Sequence, residues 1–166
     1  KGRIELLPPG RFAPYHAAEA MEPEAANASV RRDLADAHRM AEEGLRAATR
    51  RCEEAGYEVA GCGVLVGSGM PPWTTAEILA VHFRMHKAEG DLFRDALVRA
   101  AKACGLRLVP IPEKRLTTHA EEALRMPASV LRKRIAVLGK SVGPPWGKDQ
   151  KDCALAALVA LEARSK

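Results

Sequence analysis

Two aspartates three residues apart, Asp149 and Asp152, stand at the start of a long apolar helix pattern. At positions i and i+3 of a helix, both carboxylates project to one side, which is a geometry that can bind a divalent metal. However, two carboxylates alone rarely form a catalytic Mg²⁺ site. Aspartates in a first helical turn also offset the helix dipole and cap free N–H groups. Taken alone, the pair favours an ordinary helix start and leaves the metal interpretation open.

A second candidate site is the histidine face of the stretch HFRMHKAEGD, residues 82–91. His82, His86 and Glu89 recur at i, i+4 and i+7, so a helix brings them to one face. Neutral imidazoles one turn apart, together with a carboxylate, could hold a transition metal. The spacing is not the H-E-x-x-H pattern of metalloproteases. The alternative is a polar edge of the core, with both histidines hydrogen-bonded.

The net charge of +5 is unevenly distributed, because the whole basic surplus lies in residues 107–148. A local basic field attracts phosphates and acidic partners. The alternative is a solvated face without a partner. The candidate nucleic-acid-binding residues are Lys114, Arg115, Arg132, Lys133, Arg134, Lys140 and Lys148.

Length and composition predict a single globular domain spanning residues 1–166, with 47% hydrophobic and 28% charged residues. No apolar run reaches the roughly 18 residues of a membrane span, and no signal peptide is visible. The four cysteines lack C-x-x-C spacing, so we expect reduced, mostly buried thiols in a cytoplasmic protein. The Ala-rich helices are also compatible with a homodimer interface.

Periodicity and turn residues place these candidates on a chain of alternating strands and helices. Thr74 with Glu77, and Thr118 with Glu121, are typical of helix N-termini, and Gly90 is expected to bend or interrupt a helix. Strands alternating with helices predict an α/β fold with parallel strand pairs. The predicted elements are a strand at 3–7, a helix at 23–55, a buried strand at 57–67, a helix at 75–104, a strand at 106–112, and helices at 128–138 and 149–164. Residues 11–16 could add a second extended segment, which Pro14 would keep at an edge.

Three stretches resemble the RuvC family of Holliday-junction resolvases, within the RNase H-like superfamily: residues 59–72, 89–116 and 149–161. The last of these, DQKDCALAALVAL, is similar to the D-x-x-D-A-L-A-x-A pattern that opens the final helix of that family. The resemblance implies an RNase H-like mixed sheet flanked by helices. It implies metal-dependent phosphodiester hydrolysis, with Asp149 and Asp152 as catalytic Mg²⁺ ligands. It would also place the basic segment near nucleic acid.

The chain departs from that family at two acidic positions. Residues 59–76, which cover the family's central strand, contain no acid, and Glu58 and Glu77 only flank this span. The family's first strand and its Asp would lie upstream of Lys1. The alternatives are therefore a catalytically inactive interaction or scaffold protein, and a small-molecule or metal site at the His82, His86 and Glu89 face.

Overall fold

The structure is a computed structural model that describes residues 2–163. The described chain divides into two compact units. We call residues 2–57 with 67–105 the helical unit, and residues 58–66 with 106–163 the sheet unit. The elements are α1 Pro14–Ala18, α2 Pro23–Glu54, β1 Cys62–Val66, α3 Thr75–Leu79, α4 His82–Ala103, β2 Leu108–Pro112, a 3₁₀ turn Glu113–Arg115, α5 Leu116–Leu124, α6 Ala128–Val142 and α7 Lys148–Glu162.

The predicted RNase H-like mixed sheet is wrong. Helices dominate the described chain, and its sheet has two strands, β1 and β2, which pair in parallel from Cys62↔Leu108 to Val66↔Pro112. The buried strand predicted at 57–67 and the strand predicted at 106–112 are therefore present, although both are shorter. The parallel pairing expected from the alternating pattern is confirmed. Two five-residue strands are too few for a mixed sheet with helices on its faces.

The sheet is small because the strand predicted at 3–7 is absent, and residues 11–16 form no extended segment at a sheet edge. In the helical unit Ile4 packs so closely on Gly44 of α2 that a Cβ there would clash with it, and Leu7 is buried in the core. The apolar residues of RIELL thus pack against helices of this unit rather than forming one face of a strand. Pro14 occupies the first turn of α1, where its fixed φ and missing N–H suit a helix.

The core of the helical unit lies where α2 and α4 pack on one another, with α1 and α3 against both. Small side chains on the facing stripes let helices approach closely. Met85 is the largest side chain fully buried there, with 0% exposure. Asp33 of α2 is also buried and forms an ion pair with Arg11, which compensates its charge. The facing alanines include Ala26, Ala37, Ala41, Ala88, Ala96 and Ala100.

The helix predicted at 75–104 is interrupted, but the break lies at Ala80–Val81, between α3 and α4. The capping box of Thr74 and Glu77 is confirmed. Gly90 lies inside an unbroken α4. A Cβ at Gly90 would come within 2.8 Å of the Arg94 guanidinium, so the glycine leaves room for that side chain rather than bending the helix.

The sheet unit packs α5 and α7 against the two strands, with α6 against α5 and α7. Helix α7 approaches β1 so closely that a Cβ at Gly63 would be 2.7 Å from the carbonyl oxygen of Ala156. Ile111 of β2 is fully buried between the strands and these helices. The predicted cap at Thr118 is wrong, because α5 begins at Leu116 and Glu121 accepts a hydrogen bond from the backbone N–H of Ala128.

Within residues 2–163, none of the helices combines the length and the apolar character of a membrane span. The four cysteines are free thiols. The expectation that they are mostly buried is wrong for Cys52 and Cys153, which are exposed, whereas Cys62 and Cys104 are half-buried.

Candidate metal centre

Three histidines of the helical unit converge on one point. His16 comes from α1, and His82 and His86 come from the first two turns of α4. One potential ligand atom from each lies within 4.8 Å of the others. The ring centroids are 4.5 Å apart for His16 and His86, 4.7 Å for His82 and His86, and 5.0 Å for His16 and His82. Within residues 2–163, these histidines form the only group of three or more side chains that could together hold a metal ion.

Local structure explains the placement of each imidazole. His82 is the first residue of α4, and His86 follows one turn later on the same face. His16 reaches them because Pro14 starts a short helix that packs on α4. Beside the histidine face, Met85 and Ala88 are buried in the core. Packing of these two side chains fixes this part of α4, and with it the histidine face.

The spacing of the nitrogens suits a tetrahedral ion. The Nε2 atoms of His82 and His86 are 3.1 Å apart. With Zn–N bonds of about 2.0–2.1 Å, two nitrogens of a tetrahedral site lie roughly 3.3–3.4 Å apart. Without an ion, one Nε2–H group donates to the other ring. A small adjustment of either ring would place both lone pairs on one metal.

Glu89 determines which nitrogen of His16 is available. Its Oε1 accepts a hydrogen bond from Nδ1–H of His16 at 2.8 Å and lies 3.3 Å from the backbone nitrogen of the same residue. The lone pair of His16 is thereby placed on Nε2, because a neutral imidazole carries one N–H. That Nε2 is buried and has no hydrogen-bond partner. A buried nitrogen with a free lone pair, on a ring whose centroid lies 4.5 Å and 5.0 Å from those of two further imidazoles, suits a preorganised metal ligand.

The side chain of Glu89 is largely buried beside α1. Its side chain is 13% exposed, and Tyr15 beside His16 is buried in the core. Burial raises the pKa of Tyr15, and the negative charge of Glu89 raises it further. Tyr15 therefore stays protonated and neutral at neutral pH. Glu89 is left as the acidic partner of His16.

The sequence located part of this centre. His82 and His86, which are predicted as ligands, lie together. Glu89, also predicted as a ligand, instead accepts a hydrogen bond from Nδ1–H of His16. The sequence does not identify His16 as a ligand, because RFAPYH is compatible with an extended segment at a sheet edge. A helix start at Pro14 was the available signal, since proline favours the first helical turn.

The carboxylates of Asp149 and Asp152 do not join a larger group of ligands. Asp149 is exposed, and Asp152 accepts a hydrogen bond from Nζ of Lys148 at 2.5 Å. This bond raises the pKa of Lys148. Within residues 2–163, neither aspartate belongs to a group of three or more potential ligands. The start of α7 is instead capped by Gln150, whose Oε1 accepts from the backbone N–H of Gly147 at 2.8 Å.

The basic residues proposed for nucleic acid are exposed in the sheet unit. Two of them are engaged locally, since Arg115 lies 3.9 Å from Glu122 and Lys148 binds Asp152. The nucleic-acid interface stays a prediction. The residues occupy the 3₁₀ turn (Lys114, Arg115), α6 (Arg132, Lys133, Arg134, Lys140) and the first position of α7 (Lys148).

Replacing Glu89 by glutamine tests whether its carboxylate orients His16 and strengthens it as a metal ligand. The amide can still accept a hydrogen bond but lacks the charge that makes the imidazole a stronger donor to a metal. We expect metal affinity to fall by about 10- to 100-fold, the usual effect of losing such an outer partner. Calorimetric titration of the metal-free variant with Zn²⁺ measures this. An affinity equal to that of the wild type would contradict the assigned role.

Comparisons with known proteins give no match: no family model, no curated protein and no solved structure is similar to this chain.

Proposed function

We propose that this protein binds a divalent transition metal, Zn²⁺ in the first instance, through His16, His82 and His86. The observation that carries the proposal is the convergence of three imidazoles on one point, with their ligand atoms within 4.8 Å. Two of the three are exposed, so an ion can reach them from solvent.

The donor set decides the class of metal. Neutral imidazoles suit zinc, copper, iron and nickel, whereas magnesium and calcium need several oxygen ligands. Glu89 is occupied by His16 and contributes no oxygen to the group. The near-tetrahedral separation of His82 and His86 favours zinc among the imidazole-binding metals. The Mg²⁺ expected from the family resemblance has no comparable cluster of oxygen ligands in residues 2–163.

Metal binding would also relieve an unfavourable contact in the helical unit. A buried nitrogen without a hydrogen-bond partner costs about 1–3 kcal/mol, and Nε2 of His16 is such an atom. Coordination would satisfy this nitrogen and tie α1 to α4. The ion should therefore stabilise the folded protein in proportion to its affinity and concentration.

Titration of tag-free, EDTA-dialysed protein tests the proposal. We expect binding of about one Zn²⁺ per chain by calorimetry and by elemental analysis after gel filtration. Affinity should decrease as the pH is lowered from about 7.5 to 5.5, since imidazole must lose its proton to bind the ion. At 100 times the dissociation constant, Zn²⁺ should add about 2.7 kcal/mol to the free energy of unfolding.

A matched titration with Mg²⁺ serves as the control and should show no binding in the same concentration range. The proposal fails if Zn²⁺ does not bind. It also fails if binding is indifferent to pH, because imidazole ligands require proton release.

A further inference from the structure

The proposed centre has three protein ligands and a side that faces solvent. His82 and His86 are exposed, while His16 is the inner ligand. Glu89 binds His16 through Oε1 and does not belong to the group of ligand atoms. Within residues 2–163, no further histidine, cysteine or acidic residue joins the group. Structural zinc sites are closed by four protein ligands, whereas catalytic sites keep one position for water or substrate.

From this coordination we infer that the centre is hydrolytic: it keeps an exchangeable fourth position that activates water, for which an activated carboxylic ester is the test substrate. The inference rests on the proposed function, since it requires the metal to bind at His16, His82 and His86. Three imidazoles are neutral, so they leave the charge of the ion uncompensated. Such a site lowers the pKa of its bound water to about 7.

The reaction balances without a redox partner. An ion held by His16, His82 and His86 would supply hydroxide from its bound water. The hydroxide oxygen would bond to the acyl carbon, the bond from that carbon to the leaving oxygen would break, and the hydroxide proton would pass to the leaving alkoxide to give an alcohol. The acid product would leave as a carboxylate, and a new water would take the open position and release one proton to solvent.

The chain's own residues have separate roles in this scheme. His82 and His86 border the open side, where the ester would approach. Glu89 is a positioning residue, because it acts through Nδ1 of His16 rather than on the ester. The titratable side chains at the centre are Tyr15 and His16 from α1 and His82, His86 and Glu89 from α4. Tyr15 is buried in the core.

The test has two readouts on the same purified chain. In the first, metal-free protein is loaded with Co²⁺, and azide is added while the visible spectrum is recorded. A four-coordinate Co²⁺ spectrum reports binding, and its shift with azide reports an exchangeable position. In the second, the zinc-loaded protein is assayed with 4-nitrophenyl acetate between pH 6 and 9, against the metal-free protein and against the same concentration of ZnSO₄.

We expect azide to shift the Co²⁺ spectrum, and the rate of ester cleavage to rise with pH along a single sigmoid. His86→Ala should reduce the rate to that of the metal-free protein. His38→Ala should leave it unchanged, because His38 lies outside the group and pairs with Asp95. Glu89→Gln should displace the midpoint of the pH profile as well as lowering metal affinity.

The two levels of the hypothesis fail differently. If Co²⁺ and Zn²⁺ bind but azide does not shift the spectrum, or ester cleavage does not exceed the controls, the inference is overturned and the proposed metal site stands. If neither metal binds, the proposed function fails, and the inference fails with it.

Discussion

Replacing His86 by alanine is expected to abolish stoichiometric zinc binding and to weaken affinity by at least about a hundredfold. Losing an outer partner of a ligating histidine costs about 10- to 100-fold, so losing a ligand should cost at least as much. The variant keeps His82 and His16 but leaves two ligands in place of three. Zinc content after gel filtration and calorimetric affinity both measure the effect. His82→Ala and His16→Ala should behave alike, since the three rings share one site.

The chain offers two matched controls for these variants. His38 is half-buried on α2 and pairs with Asp95 at 3.2 Å, and His119 lies on α5 in the sheet unit. Neither belongs to the histidine group. His38→Ala and His119→Ala should therefore retain full zinc binding. Unchanged zinc content in all three site variants would refute the metal centre.

The second large effect is on stability. Replacing Met85 by alanine should lower the free energy of unfolding by about 2–5 kcal/mol, because it removes a fully buried side chain and leaves a cavity. Urea unfolding followed by circular dichroism measures the change. The measurement is made on metal-free protein, since bound zinc would add its own linkage energy.

Two controls separate cavity formation from general damage to α4. Met85→Leu roughly conserves volume and should cost less than about 1.5 kcal/mol. Phe83→Ala alters a side chain that is 72% exposed on the same helix, so it should change stability by no more than about 0.5 kcal/mol. Equal urea midpoints for Met85→Ala and Phe83→Ala would show that the α4 packing described here is wrong.

Met85 also links stability to the site. It lies one turn after His82 and immediately before His86, and its side chain is buried whereas theirs are exposed. His82, Met85, His86 and Glu89 share the first eight positions of α4. Packing at Met85 therefore orients the ligand face, and Met85→Ala should weaken zinc binding as a secondary effect.

The fold that the family resemblance implies is wrong, and one of the three stretches that carry the resemblance, residues 149–161, is a single apolar helix. DQKDCALAALVAL does form α7, so the local prediction was sound. Many folds contain such a helix. The residue pattern of the helix does not indicate how many strands the sheet beneath it has. The strands that would complete the expected sheet were assigned to residues 3–16, which pack as coil and helix in the helical unit. The nuclease function and the nucleic-acid partner stay predictions.

The helices were predictable because their signals are local. Periodicity and turn residues predicted a helix at 23–55, and α2 spans Pro23–Glu54. The same periodicity put His82, His86 and Glu89 on one face of α4. These statements depend on a repeat of 3.6 residues and need no knowledge of the rest of the chain.

The histidine spacing on α4 was thus determined by the sequence alone, and the meaning of that face was decided by tertiary structure. His16 and Glu89 are 73 positions apart, and no local pattern links them. Only the packing of α1 on α4 adds the third imidazole and turns Glu89 from a candidate ligand into its orienting partner. The same limit applies to the sheet. Strand pairing is a long-range contact that depends on which apolar faces are buried together. The sequence alone therefore could not distinguish a two-stranded sheet with a separate helical unit from a larger α/β sheet.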